Sequence, residues 1–388
     1  EKLERKPMPN EWSSLFDEDE EDVELSPEGS ILTELRDAYV YNLDWTVSTL
    51  IAQLGDGTID LQPQYQRRDA WTVQRKSKLI ESLILGLPVP HIVLAERPET
   101  KGTFLILDGK QRLTTLAQFA GLIPASQYNG FALRDLPLLQ NLNGATYIDL
   151  IESSKHPEHK HAFLNQPLRT AILRGWKSSE LLHIIFHRLN SQVVPLSPQE
   201  LRQALIVGPF MGFLNDYSAS SQTMQWLLKL DGPDFRMRDS EILLRLLGLT
   251  TYLDRYRGDL RRFLDEIAQW LSDNWAEKSA ETEENLSSIE NAIETWGMVL
   301  GREHVGRKFT DGKYEPRLNR AVLDSQVFSA RDATVAERMA ADPNSARHIF
   351  EELMMSDESY RKAIESTTKS IGAVEYRVSR LHQRLAVL

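Results

Sequence analysis

The stretch from Thr103 to Gly121 constrains the fold more than any other part of this sequence. Thr103-Phe104-Leu105-Ile106-Leu107 is apolar but too short for a helix, so it reads as a buried strand that Asp108-Gly109 stops. Leu113, Leu116, Ala117 and Ala120 then recur at helical spacing until Gly121. A strand that turns through Asp-Gly directly into a helix belongs to a mixed α and β fold. The residues upstream agree. Thr72 caps a helix whose Leu79, Ile80, Leu83 and Ile84 share a face, with Gly86 at its end. Pro88 and Pro90 force an extended entry into His91-Ile92-Val93-Leu94, a second strand. Ile59-Asp60-Leu61 suggests a further short strand before Pro63.

From about residue 150 the periodicity turns helical. Ser197-Pro198-Gln199-Glu200 joins a capping Ser, a first-turn Pro and a Glu three residues on, which marks a helix start. Ile242, Leu243, Leu246 and Leu247 repeat the helical pattern, as do Leu260, Phe263, Leu264 and Ile267. Residues 363–388 form another amphipathic stretch. The expected organisation is α+β: an acidic, disordered tail over residues 1–30, a small α/β domain over 31–150, and a larger all-helical domain over 151–388.

Charge is distributed unevenly. The chain of 388 residues has 45 basic and 56 acidic side chains, a net charge of −11. Residues 1–24 alone hold ten acidic and three basic residues, whereas residues 61–112 hold nine basic and five acidic. The acidic total excludes a wholesale basic coat for nucleic acid, but the local excess suits a polyanionic ligand. With no cysteine, disulfides, thiolate nucleophiles and Cys-bound metal are excluded. The longest apolar stretch, residues 83–95, is broken by Gly86, Pro88, Pro90 and His91 and is far short of the ~20 residues that span a bilayer. No signal peptide opens the chain, which begins at Glu1 as though a leading piece had been removed. A soluble cytoplasmic protein without membrane contact is expected.

The segment Asp108-Gly109-Lys110-Gln111-Arg112 carries the most chemical information. Backbone N–H groups at a helix start have no partner within the helix and suit phosphate, to which Lys110 and Arg112 add charge. Asp108 can hold a metal ion or a water, and Gln111 can orient that water. A tight Asp-Gly turn ringed by solvated charges is the alternative from pattern alone. A second cluster, Gln62-Pro63-Gln64-Tyr65-Gln66-Arg67-Arg68 followed by Trp71, sets an aromatic among Gln and Arg, as base stacking with phosphate neutralisation requires. A third, Phe186-His187-Arg188-Leu189-Asn190, precedes the capped helix, where a structural role for Arg188 and Asn190 is the simpler reading. His156, His159 and His161 look like metal ligands, yet without a further ligand at suitable spacing they read as a solvated loop. Trp226, Trp270, Trp275 and Trp296 fit core or interface positions. Neither a P-loop nor a dinucleotide-binding glycine pattern occurs.

Taken in order, these motifs are similar to one known family. Pro63-x-Tyr65-Gln66-Arg67 with Trp71, Leu79-Ile80-Glu81-Ser82-Leu83-x-Leu85-Gly86-x-Pro88-x-Pro90, and Asp108-Gly109-x-Gln111-Arg112-Leu113 resemble the N-terminal domain of GmrSD-type modification-dependent restriction enzymes. SspE phage-defence proteins share that module, which belongs to the ParB/sulfiredoxin-like superfamily. Phe186-x-Arg188-x-Asn190, Pro195-Leu196-Ser197-x-x-Glu200-Leu201-Arg202, Tyr256-x-Gly258 and Ser366-Thr367 with Arg377 extend the likeness.

The resemblance implies a nucleotide-binding or nucleotide-hydrolysing module of a bacterial anti-phage or restriction system, gating DNA binding or a partner nuclease. It assigns catalysis to Asp108, Gln111 and Arg112. Nucleotide and phosphate binding fall to Tyr65, Gln66, Arg67, Gly109, Lys110, Arg188 and Asn190, with Mg²⁺ on Asp108 and a nucleoside triphosphate (NTP) as substrate. Lys110 stands where the family has Gln. The tail is helical, and His304, His348 and His382 lack the spacing of an HNH nuclease, so cutting is expected from a separate partner chain. DNA, a nuclease subunit and an oligomeric state are the expected partnerships. Two alternatives are a ParB-like DNA-binding module without turnover, and a metal-dependent nuclease with Asp108 and Glu81 as ligands.

Overall fold

The computed structural model describes residues 36–61, 71–123, 130–152, 157–178, 181–182, 185, 197–206, 208–234, 236–366 and 368–388. The acidic tail lies outside them. The chain divides into two compact units, the first ending at Leu205 and the second running from Ile206 to Leu388. The architecture is α+β, as expected.

The first unit is built on a four-stranded sheet of order β1-β4-β2-β3, formed by β1 (Tyr39–Thr46), β2 (Ile92–Glu96), β3 (Phe104–Asp108) and β4 (Pro167–Arg174). β1 runs antiparallel to β4 in unbroken register from Tyr39↔Arg174 to Thr46↔Pro167. β4 is parallel to β2, and β2 is antiparallel to β3. Burial on both faces explains the continuous apolar runs. Ile92, Leu94, Phe104, Ile106, Leu168 and Ile172 enter one core with α1 (Val47–Gly55), α2 (Val73–Ile84), α3 (Lys110–Phe119) and Phe163 of α5 (Pro157–Asn165). Val93, Ala95, Leu105, Leu107, Ala171 and Leu173 enter a second core with Trp176 and Leu201 of α6 (Pro198–Leu205). A short α4 (Tyr147–Glu152) precedes α5.

Local signals in the sequence are realised as hydrogen bonds. Thr72 caps α2, its Oγ1 accepting from Arg75 N at 3.4 Å. At α6, Glu200 N donates to Ser197 Oγ at 3.1 Å while Ser197 N donates to Glu200 Oε2 at 2.6 Å, a reciprocal capping box.

Three expectations need correction. The α/β unit does not close near residue 150, because β4 lies inside the sheet between β1 and β2. Ile59 makes only an isolated bridge to Phe104, so residues 59–61 form no strand of their own. His159 and His161 sit on helix α5, not in a loop.

Among the described residues the second unit is helical apart from one hairpin of two-residue strands, β5 (Phe309–Thr310) with β6 (Lys313–Tyr314). Its helices are α7 (Pro209–Ser220), α8 (Gln222–Leu228), α9 (Arg238–Thr251), α10 (Leu260–Asp273), α11 (Trp275–Leu300), α12 (Arg320–Ala330), α13 (Ala333–Ala341), α14 (Pro343–Ser356), α15 (Glu358–Glu365) and α16 (Ile371–Leu385). Ile242, Leu243, Leu246, Leu247, Leu260, Phe263, Leu264 and Ile267 all enter its core. Trp296 is fully buried and donates Nε1–H to the Gln326 carbonyl at 2.7 Å; Trp226, Trp270 and Trp275 pack at the margin.

One carboxylate lies at the centre of this core. Asp324 accepts Nε (2.9 Å) and Nη2 (2.8 Å) of Arg245 and Nη2 of Arg377 (2.7 Å). Burial alone would raise the Asp324 pKa, but the two guanidinium charges hold it below the usual carboxylate value. Arg377 is itself fully buried and donates Nη1 to the Thr368 carbonyl at 2.5 Å. Burial pushes its pKa down, against the pull of Asp324.

Candidate functional site

The turn from β3 into α3 gathers Asp108, Gly109, Lys110, Gln111 and Arg112. A register shift falls beside it: Leu94 pairs with Ile106 but Val93 pairs with Asp108. β3 thus has one residue more than β2 at this point, a bulge that re-aims Asp108 relative to a regular ladder. Gly109 follows with φ +95° and forms the N-cap of α3. A Cβ there would lie 3.2 Å from Ile92 Cγ1 and 3.3 Å from Arg112 Nη2, so both the backbone conformation and the packing call for glycine. Without a side chain, Gly109 makes no cap bond to the first turn of α3. The first-turn amides of that helix thus receive no side-chain acceptor from the cap position.

Arg112 is buried, at 8% exposure. Its Nη2 donates to Asp108 Oδ2 at 2.6 Å and to the His91 carbonyl at 3.0 Å, linking the end of β3, the residue before β2 and the start of α3. Gln111 anchors the same turn through its carbonyl, which accepts Thr115 Oγ1–H at 2.7 Å. Its side-chain Oε1 is buried and has no hydrogen-bond donor.

The turn supplies a single carboxylate, one of whose oxygens is taken by Arg112. Among the described residues no group of three or more His, Asp or Glu side chains is arranged to hold a metal. Magnesium is commonly held by one or two carboxylates together with substrate phosphates and waters. Asp108 Oδ1 fits that role only for an ion that arrives with a nucleotide.

Glu81 does not fit a metal site. It is 4% exposed, and its Oε1 accepts the N–H groups of Leu138 and Leu139 at 2.8 and 2.7 Å. One helical turn earlier, Ser77 Oγ accepts Arg134 N at 3.0 Å. This face of α2 holds the backbone of residues 134–139, a role that a buried Glu within an otherwise apolar helix face would have suggested.

The basic excess over residues 61–112 is only partly a surface. Lys76 and Arg112 are buried, Arg97 pairs with Asp60 at 3.5 Å, and Arg75 stacks over Trp71 at 4.6 Å. Tyr65, Gln66, Arg67, Arg188 and Asn190 lie outside the described residues, so the geometry brings together five of the ten residues expected to form the site.

No helix among the described residues is long and apolar enough to cross a membrane. No curated protein and no solved structure matches the chain. The family model described as GmrSD restriction endonuclease, N-terminal domain, matches residues 47–207, from α1 to just beyond α6, and so contains the Asp108–Arg112 turn. Over those residues the chain is similar to the GmrSD restriction endonuclease N-terminal domain.

Proposed function

We propose that this protein is the nucleotide-responsive component of a restriction or phage-defence system. In this reading its α/β unit binds a nucleoside triphosphate with Mg²⁺ at the β3–α3 turn and hydrolyses it to gate DNA binding or a partner nuclease. The observation that carries this reading is the start of α3, where left-handed Gly109 supplies no side-chain cap next to Lys110. Phosphate oxygens meet the helix amides and the Lys110 ammonium there. Asp108 Oδ1 and Gln111 Oε1 accept hydrogen bonds from a water, aligning its oxygen with the terminal phosphorus. Attack forms the new P–O bond, the bond to the leaving diphosphate breaks, and the water's proton passes to solvent or phosphate. Tyr65, Gln66, Arg67, Arg188 and Asn190 complete the pocket as base and phosphate contacts.

The test is a thermal-shift panel of ATP, GTP, CTP and UTP with Mg²⁺, followed by phosphate release. Stabilisation by a nucleotide, weakened in Lys110→Ala, and turnover lost in Asp108→Ala with the fold intact are the expected results. Wild-type turnover in Asp108→Ala overturns the catalytic assignment.

A second reading, a ParB-like DNA-binding module without turnover, is favoured by the commitment of Asp108 Oδ2 to Arg112. It predicts DNA affinity that falls steeply with salt and depends on Arg67 and Arg68, with no phosphate released.

A further inference from the structure

We propose that Arg112 is a positioning residue, not a phosphate clamp: its guanidinium fastens the Asp108 carboxylate to the His91 carbonyl and so fixes the turn that meets the ligand. This rests on the reading of that turn as a phosphate site. Three observations carry it. The same Nη2 bonds both acceptors, at 2.6 and 3.0 Å, which leaves it no donor for a phosphate. Most of the side chain is buried, and Nε is enclosed without an acceptor, so that edge of the guanidinium faces the protein and not a ligand. The guanidinium also lies against Gly109, where a Cβ would stand 3.3 Å from Nη2 and 3.4 Å from Nε, so turn and side chain fill each other's space. An arginine exposed to a ligand would instead present its fork outward. Lys110, next to the uncapped helix start, is then the cation that meets phosphate.

The consequence for catalysis is specific. Removing Arg112 frees Asp108 to rotate and releases the turn from β2, misplacing the carboxylate without removing a phosphate contact. Lysine at 112 carries the charge but lacks the planar guanidinium that packs against Gly109.

The test compares Arg112→Ala, Arg112→Lys, Asp108→Asn, Asp108→Asn/Arg112→Ala and Lys110→Ala. Each is assayed for steady-state phosphate release, for equilibrium binding of a non-hydrolysable triphosphate analogue with Mg²⁺, and for melting temperature without ligand. Loss of about 100-fold in kcat is expected for Arg112→Ala, the size of effect that a misplaced group produces. Analogue Kd stays close to wild type in both Arg112 variants but rises in Lys110→Ala. The double variant is no worse in kcat than Asp108→Asn alone, and its melting temperature is less than additive. An Arg112→Ala Kd raised as far as that of Lys110→Ala overturns the proposal. If no protein in the set binds the analogue, the nucleotide reading fails. The fastening role is then judged by the ligand-free melting temperatures, where strict additivity of the two substitutions overturns it.

Discussion

Two aspartates, one in each unit, meet arginine in opposite ways. Asp324 is fully buried and both its oxygens are occupied, one by Arg245 and the other by Arg245 and Arg377 together. Asp108 stands at a strand end with 20% of its side chain exposed, and Arg112 occupies only one of its oxygens. The first arrangement satisfies the carboxylate within the core and leaves nothing for a ligand. The second holds the carboxylate in place and leaves an oxygen to act. Saturation marks a structural aspartate and a half-filled shell marks a candidate for chemistry, although the residue types are the same. Glu81 is structural by burial instead: it is 4% exposed, and two backbone N–H groups share one of its oxygens.

The sharpest way to break this contrast is to remove the saturated carboxylate. Asp324→Ala leaves Arg245 and Arg377 buried without their anion and is expected to cost about 3–5 kcal/mol. Asp108→Asn is expected to cost no more than about 1–2 kcal/mol, since that pair is partly solvated. Urea unfolding of both variants checks the difference, and equal losses would erase the distinction. Acid extends the same comparison. The folded-state pKa of Asp324 lies below the ordinary aspartate value of 3.8, so its contribution is complete above about pH 5 and fades as pH falls through 4 and below. Urea midpoints of the wild type should therefore drop below pH 4, and more steeply than those of Asp324→Asn.

Glu81→Ala orphans the Leu138 and Leu139 amides and is expected to cost about 3 kcal/mol. Hydrogen exchange should show the loss concentrated at residues 134–139. Gly109→Ala tests the turn itself. Its left-handed backbone and the short approach to Ile92 and Arg112 predict about 1–2 kcal/mol of destabilisation, together with loss of any nucleotide-induced thermal shift. The smallest effect is at the capping box, where Glu200→Ala should lower stability by about 1 kcal/mol and leave nucleotide response unchanged.

What could be read from the sequence was local. Thr72, Gly121 and the Ser197–Glu200 box act within a few residues of themselves, so α2, α3 and α6 start or stop where those signals stand. β2 and β3 were legible because both faces are apolar. β1 and β4 were not. Tyr39–Thr46 is an edge strand with mostly exposed side chains and no alternation, and Pro167–Arg174 acquires its meaning only from partners far away in the chain. The same distance hides the Asp324 cluster, whose members come from α9, α12 and α16. A charged residue within the apolar runs Ile242–Leu249 and Ala321–Val327 was the available sign. At the candidate site, Asp108 to Arg112 could be picked out as a group, but the pairing inside it could not. Whether an arginine points at a ligand or at its neighbour's carboxylate depends on the bulge in β3, which leaves no mark in composition.

The position of β4 also determines where the chain can be divided. β1 has its ladder partner only in residues that come after Gln166, and β2 is open on one side until they arrive. During synthesis the β2–β3 hairpin and α3 emerge first, yet the sheet that supports them is incomplete until Arg174 has left the ribosome. A fragment cut at residue 150 would display two bare strand edges, a template for intermolecular pairing, and would aggregate where one ending after Leu205 folds.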